Sequence, residues 1–261
     1  FVILTAGIDL SVGSIMGLSG LFAAIVIRDG YPVELAVLVG LMTGSGVGLC
    51  NGLMVTKLRL PPFIATLGTL SMGRGLMYWI THGWPVTLSF EHPFLNLGQG
   101  YIGPVPVPVI VMLALYVAAA IFLSRTSIGR YVYAVGGNEQ AARFSGIRVN
   151  WVKVLVYSIS GFCCAISGLI LLARMISAQP MAGLGYELPV IAACAIGGTS
   201  LMGGEGTILG TLMGAALMGI LQNGMVLVGI DTYAQQAVTG AVIVIAVTLD
   251  QYRQRRAAES S

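Results

Sequence analysis

Asp9 is the residue whose type and position most directly suggest chemistry. It lies between the apolar residues 1–4 and a long apolar segment, 10–27, where an unpaired carboxylate is costly. Two interpretations are open: Asp9 and Ser11 form a polar lining at a break between helices, or one of them caps the helix that begins at Val12. Thr199 and Ser200, in a second glycine-bearing polar stretch, present the same alternatives.

Arg74 is the second candidate, because it lies in the middle of the apolar segment 62–80. Its guanidinium either pairs with a carboxylate or with carbonyl groups at a break, or reaches water along its flexible stem. Glu187 and Glu205 flank a short apolar segment and are expected near its interfaces.

The sequence lacks the residue patterns of catalytic and nucleotide-binding sites. The two histidines, His82 and His92, lie in one loop, so they cannot form a metal-binding pair on a helix face. The two lysines follow Thr56 and Val152 rather than a glycine, so no phosphate-binding P-loop is present. We therefore predict that the chain is not an enzyme and binds no metal or nucleotide itself.

Composition indicates the elements that must position these residues. Of 261 residues, 56% are hydrophobic and 9% are charged, against about 25% charged residues in soluble domains. Seven apolar segments reach or approach the roughly 20 residues that cross a bilayer, at 10–27, 33–56, 62–80, 107–123, 154–173, 208–228 and 232–249. An eighth, 188–198, is too short alone and would need the glycine-rich stretch after it. We predict an all-α polytopic membrane protein with about eight spans, a single transmembrane domain over 1–261, and no nucleic-acid partner.

The distribution of basic residues predicts the orientation. Lysine and arginine concentrate near residues 57–59, within the segment 124–153 and in the tail 250–261, whereas the loop 81–106 has neither. The positive-inside rule places the basic connections and the carboxyl terminus in the cytoplasm. Because Phe1 already lies in a membrane-like segment, further amino-terminal spans are expected to be missing.

Glycine, at 36 residues, follows two ladders with a spacing of four that would place each set on one helix face. The ladders consist of Gly40, Gly44, Gly48 and Gly52, and of Gly206, Gly210 and Gly214. The first ladder ends with an Asn-Gly phrase at Asn51, and the second is followed by one at Asn223. Each ladder comes after a polar break. The ladders are explained either by helix packing alone or by an inverted repeat with discontinuous helices, which is typical of transport pathways.

The segment 124–153 contains a candidate surface helix. Asn138 can cap it, Gly146 can end it, and Glu139 and Arg143 are spaced to pair across one turn. The alternative is a solvated loop with helical propensity.

Three phrases together resemble the permeases of ribose-type sugar ABC importers, and they follow one another along the whole chain. The first is Gly7-Ile8-Asp9-Leu10-Ser11-Val12-Gly13-Ser14. The second runs from Gly129-Arg130-Tyr131 through Gly136-Gly137-Asn138-Glu139-Gln140-Ala141-Ala142-Arg143-Phe144-Ser145-Gly146-Ile147. The third combines Ser177-Ala178-Gln179-Pro180, Gly185-Tyr186-Glu187-Leu188 and Gly197-Gly198-Thr199-Ser200-Leu201 with Gly203, Gly204 and Gly206.

The resemblance implies a permease of about ten spans in the bacterial plasma (inner) membrane, present as two copies. A cytoplasmic ABC ATPase would carry ATP and Mg, and a periplasmic or extracellular binding protein would deliver a monosaccharide. The family's ATPase-coupling segment corresponds to Gly137, Asn138, Glu139, Ala141, Ala142, Arg143 and Gly146. The candidate pathway or break residues are Asp9, Ser11, Asn51, Thr199, Ser200 and Asn223.

Three other functions remain to be weighed. A branched-chain amino acid ABC permease is the nearest alternative, and the phrase at Asp9 argues against it. An ATP-independent secondary transporter or channel would be expected to carry buried titratable relays. A membrane-embedded enzyme would need paired catalytic side chains.

Overall fold

The computed structural model describes the backbone of residues 1–259 and the side chains of 1–245 and 248. The described chain is mostly helical. In chain order, its α-helices are α1 (Val12–Arg28), α2 (Val33–Thr56), α3 (Pro62–Thr81), α4 (Asn96–Gln99), α5 (Val107–Arg125), α6 (Ser127–Gly137), α7 (Glu139–Phe144), α8 (Val149–Met175), α9 (Glu187–Ile196), α10 (Ile208–Leu227) and α11 (Thr232–Glu259).

Short strands and single helical turns lie in the segments outside the α-helices. Strand β1 (Val86–Thr87) pairs antiparallel with β4 (Ser177–Ala178), and β2 (Tyr101–Ile102) pairs antiparallel with β3 (Val105–Pro106). Two single-turn 3-10 helices occur at Ile3–Thr5 and Pro93–Leu95. These elements are too short to form a sheet core, so the prediction of an all-α protein is confirmed.

Among the residues that the structure describes, four helices are long and apolar enough to cross a membrane: Val33–Thr56, Val107–Arg125, Val149–Met175 and Ile208–Leu227. Three shorter apolar helices accompany them, at Val12–Arg28, Glu187–Ile196 and Thr232–Ile245. A polytopic helical membrane protein is therefore supported, while the number of eight spans stays a prediction. The side chains of the predicted basic tail 250–261, and residues 260–261 altogether, lie outside the described residues.

The chain forms two compact units. The first comprises Phe1–Val2, Ile8–Val117 and Arg148–Glu187, and the second comprises Ile3–Gly7, Ala118–Ile147 and the chain from residue 188 onward. The single permease domain stays a prediction at the level of the whole chain.

In the first unit, the glycine ladder of α2 packs against α8. A Cβ at Gly48 would overlap the carbonyl oxygen of Tyr157, and a Cβ at Gly161 would overlap that of Gly44. The contact is therefore reciprocal, backbone against backbone, as small residues permit between membrane helices. The interfaces of α1, α2, α3 and α8 account for most of the packing of this unit.

In the second unit, α9 and its extension approach α10 in the same manner. A Cβ at Gly210 would overlap the carbonyl oxygen of Gly197, and one at Gly214 would overlap that of Ala193. Gly206 is different, because it precedes α10 and has φ +150°. The expectation that Gly206 shares a helix face with Gly210 and Gly214 is wrong; it belongs to the break.

Candidate functional site

The break before α1 is organised around the Asp9 carboxylate, which is buried at 7% exposure. One oxygen accepts hydrogen bonds from the backbone N–H of Ser11, at 3.0 Å, and from its hydroxyl. The other oxygen accepts from the hydroxyl of Ser160 on α8, at 2.9 Å. Three donors therefore replace the hydration that a buried carboxylate loses.

The capping interpretation is wrong for Ser11. Ser11 occupies the position before α1, but its side chain makes no capping hydrogen bond, because its hydroxyl donates to Asp9 instead. Asp9, by contrast, accepts the N–H of Ser11 at the amino-terminal end of α1, so its carboxylate is both a polar group at the break and a partner for a helix-end N–H. That Asp9 lines a pathway stays a prediction.

Asn51 extends this arrangement across two more helices. Its amide donates to the hydroxyl oxygen of Ser11 at 2.8 Å, and its carbonyl oxygen accepts from the hydroxyl of Thr69 on α3. The order of donation is Thr69 to Asn51, Asn51 to Ser11, and Ser11 to Asp9. We call Asp9, Ser11, Asn51, Thr69 and Ser160 the buried polar network; such fully partnered networks rigidify the elements that they join.

The backbone of the break is also partnered by distant residues. The carbonyl of Ile8 accepts from the hydroxyl of Thr66 at 3.3 Å and from the phenol of Tyr157 at 3.4 Å. Sequence reasoning identified Asp9, Ser11 and Asn51 but missed Thr66, Thr69, Tyr157 and Ser160. The sequence marks each of these four residues only as a polar side chain within an apolar helix.

Arg74 bonds to the non-helical segment 176–186 that joins α8 to α9. Its Nη1 donates to the carbonyl oxygen of Pro180 at 2.9 Å and to that of Ala182 at 2.8 Å. Backbone at membrane depth must be partnered within the protein, and Arg74 supplies two such bonds. The snorkelling interpretation of Arg74 is therefore wrong. Glu187, expected at an interface, is also buried, at 8% exposure.

The second break, 197–206, is held mainly by backbone hydrogen bonds. The N–H of Ser200 donates to the carbonyl of Glu205 at 2.9 Å, and the N–H of Gly204 donates to that of Leu4 at 2.9 Å. Thr199 and Ser200 are each 5% exposed, and the Ser200 hydroxyl accepts from the N–H of Met202 at 3.2 Å. This break therefore has a tight turn geometry and no carboxylate at its centre.

The candidate surface helix is α7, and it has the predicted ends. The Asn138 side chain accepts from the N–H of Ala141 at 2.9 Å, and Arg143 forms an ion pair with Glu139 at 3.0 Å. Gly146 follows the helix with φ +82°, a conformation that other residues rarely adopt. The loop interpretation is therefore wrong: the segment is a capped helix.

The surface of α7 differs from the expected one. Ala142 is only 4% exposed, whereas Phe144 is 89% exposed. Ala142 therefore packs inside the chain and is not available to a partner. The exposed side chains of α7 are Gln140, Ala141, Arg143 and Phe144.

Helix α6 supports α7 from the amino-terminal side. Thr126 caps α6 by accepting from the N–H of Gly129 at 3.0 Å, and the phenol of Tyr133 donates to the carbonyl of Gly206 at 2.8 Å. Burial raises the pKa of Tyr133, so the phenol keeps its proton and remains a hydrogen-bond donor at neutral pH. This bond ties α6 to the second break within the second unit.

The chain matches a known family of membrane proteins over most of its length. The family model described as "Branched-chain amino acid transport system / permease component" matches residues 1–247 of this chain. The match covers both breaks, both ladders and α7. No solved structure matches the chain.

Curated relatives are similar over nearly the whole chain. The ribose import permease protein of Haemophilus influenzae is 46% identical over 255 residues, which are 97% of this chain and 79% of that protein. The ribose import permease protein of Bacillus subtilis is 48% identical over 252 residues, 96% of this chain and 78% of that protein. The L-arabinose transport system permease protein of Escherichia coli is 38% identical over 255 residues, 98% of this chain and 77% of that protein.

Proposed function

This chain belongs to the permease component family of branched-chain amino acid transport systems, and from that premise we propose that it is the membrane subunit of an ABC importer for a ribose-like monosaccharide. The observation that carries the proposal is the similarity, over almost all of its length, to ribose import permeases. The relative named for L-arabinose is less similar, which favours a sugar close to ribose. Transport proceeds by alternating access in the bacterial plasma (inner) membrane.

The energy for transport comes from a second protein. The sequence has no P-loop, so ATP and Mg are bound by a cytoplasmic ABC ATPase. Helix α7 is the contact for that subunit, with Gly137 and Asn138 at its start, Glu139 and Arg143 paired along it, and Gly146 at its end. Ala141, Arg143 and Phe144 reach the ATPase directly, while Ala142 anchors the helix from inside.

Two further partners complete the transporter. A periplasmic or extracellular binding protein delivers the sugar, and a second copy of this chain forms the other half of the pathway. The concentration of basic residues in 124–153 and 250–261 supports a cytoplasmic location for α7 and for the carboxyl terminus.

The pathway is expected to involve the two breaks. Substrate sites of transporters tend to lie where membrane helices are discontinuous, and Asp9, Ser11 and Asn51 lie at one such break while Thr199 and Ser200 lie at the other. The buried polar network keeps α1, α2, α3 and α8 together so that they move as one body. Asn223 is exposed, and a pathway role for it requires that the second copy or the sugar covers it.

The proposal is tested by reconstitution. The complete chain, its ATPase and its binding protein are placed in vesicles, and ATP-dependent uptake of D-ribose, D-allose, L-arabinose and L-leucine is measured. We expect accumulation of a sugar, with D-ribose preferred, and none without the ATPase. Accumulation of L-leucine alone would favour the branched-chain amino acid function that the family's description names.

A further inference from the structure

Three buried polar atoms on two charged residues of the first unit lack a hydrogen-bond partner. Among the described residues, the Nε and Nη2 atoms of Arg74 and the Oε1 atom of Glu187 are inaccessible to solvent and unpartnered. Such atoms are rare in native proteins because each forfeits its hydration without compensation. An incoming polar ligand would gain hydrogen bonds at such atoms without displacing a protein partner.

The free atoms of Arg74 form one complete edge of its guanidinium. Nη1 is occupied by the carbonyls of Pro180 and Ala182, which fixes the plane of the group. The opposite edge, Nε and Nη2, presents two parallel N–H donors, the geometry that binds two neighbouring oxygen atoms. The two bonds from Nη1 therefore orient the guanidinium and leave its Nε and Nη2 atoms without a partner among the described residues.

Glu187 supplies a charged acceptor. Its carboxylate lies close enough to attract Arg74 electrostatically, yet the described part of the chain holds no ion pair between the two residues. Glu187 is 8% exposed, and its Oε1 atom is inaccessible to solvent. Two donors of Arg74 and one charged acceptor of Glu187 are thus shielded from water in the same unit.

The segment that carries Glu187 packs closely against α1. A Cβ at Gly13 of α1 would overlap both the carbonyl of Gly183 and the Glu187 carboxylate. At this position α1 contributes only backbone, so the segment can separate from Gly13 without repacking an α1 side chain there. Arg74 also lies in the middle of the predicted span 62–80, the depth at which transporters bind substrate.

We propose that the free edge of Arg74 and the carboxylate of Glu187 bind adjacent hydroxyl groups of a monosaccharide when the segment 180–187 moves away from α1 and α3. Two neighbouring sugar oxygens accept from Nε and Nη2, and one hydroxyl donates to Glu187. The sugar thereby provides both the acceptors and the donor that the unpartnered atoms require. This inference rests on the proposed function, since it assigns the contacts of the transported sugar.

The test uses two conservative variants in the complete transporter. Glu187→Gln keeps the shape of the side chain but removes its charge, and Arg74→Lys keeps the positive charge and a donor for the carbonyls but removes the two-donor edge. We expect each variant to lower kcat/KM for D-ribose uptake in vesicles by about ten- to a hundredfold, the loss typical of one hydrogen bond to a charged group. Co-purification of the ATPase should be unchanged, because α7 is untouched.

Ser19→Ala is the matched control. The Ser19 hydroxyl is also buried and unpartnered in the described structure, but it faces the glycine ladder of α2 rather than Arg74. We expect uptake by Ser19→Ala to stay within about twofold of the wild type. An equal loss in this control would show that any polar change in the bundle impairs transport, and would overturn the assignment.

The remaining outcomes are equally decisive. Unchanged kcat/KM in both variants, or loss of assembly in both, would overturn the proposal, the latter by showing that the pair only holds the segment in place. An amino acid zwitterion offers a similar polar complement, so wild-type uptake of L-leucine that both variants reduce would assign the site to that ligand instead. Failure of the wild type to transport any tested sugar would refute the proposed function itself, whereas a sugar-transporting wild type with normal variants would refute only this inference.

Discussion

The breaks at 7–13 and 197–206 look alike in sequence but are built differently. Each combines glycines with small polar residues and stands beside a helix that packs through glycine. In the first break, Asp9 is held by hydrogen bonds from Ser11 and from Ser160 on another helix. In the second, backbone bonds and glycines with positive φ close a tight turn. A similar pattern of residue types therefore does not imply a similar site.

The two Asn-Gly phrases show the same divergence. Asn51 is fully buried and bonds to Ser11 in the first break and to Thr69 on α3, whereas Asn223 is exposed. A buried amide must find partners inside the protein, while an exposed one is free to use its surroundings. The first region is therefore expected to tolerate substitution far less than the second. Four predictions, ordered by expected size, include a direct comparison of the two asparagines.

The largest effect is expected for Gly48→Leu. The added side chain would meet the backbone of α8 at Tyr157, so α2 and α8 would have to separate, at a cost of more than about 3 kcal/mol. We expect the variant to fail to purify as a monodisperse protein in detergent. Gly46→Leu, on the same helix but with open space around it, should purify normally; equal behaviour of the two would show that the glycine face is incidental.

Asn51→Ala should have the next largest effect. It removes the donor to Ser11 and leaves Thr69 without its acceptor, so we expect a loss of about 2–3 kcal/mol. The measurement is the thermal unfolding midpoint in detergent. Asn223→Ala is the matched change at the second phrase and should cost less than about 0.5 kcal/mol; a comparable loss there would erase the difference between the two regions.

Asn138→Ala should have a smaller effect, confined to α7. Removing the cap leaves the N–H of Ala141 without its partner and costs about 1 kcal/mol. We expect faster hydrogen exchange of the amides of α7 and a partial loss of ATP-dependent uptake. Asn138→Asp, which retains a capping oxygen, should restore both; no rescue would mean that the amide acts through another contact.

Phe144→Ala should have the smallest effect on stability. The ring is 89% exposed, so its removal should leave the unfolding midpoint unchanged, although co-purification of the ATPase should fall. Ala142→Trp should do the reverse, lowering the midpoint because Ala142 is buried. If Ala142→Trp instead left stability intact and abolished co-purification, the inward side of α7 would be the docking surface.

Much of the fold follows from the sequence because hydropathy and capping are local properties. Apolar segment 33–56 coincides with α2, and 62–80 and 107–123 lie within α3 and α5. Prolines and charged residues mark where these segments end. Asn138 and Gly146 likewise delimit α7 from neighbouring residues alone, and the family resemblance rests on phrases of contiguous residues that the comparisons support.

The partners of individual side chains could only be decided by the tertiary structure. Asp9 and Ser160 are 151 positions apart, and Arg74 and Pro180 are 106 apart. No local pattern specifies such pairs. The inward side of α7, the burial of Glu187 and the place of Gly206 outside its helix follow from packing between distant segments. The sequence by itself determines that a polar group lies among apolar residues. Only the packed chain determines which distant atom becomes its hydrogen-bond partner, or whether it has none.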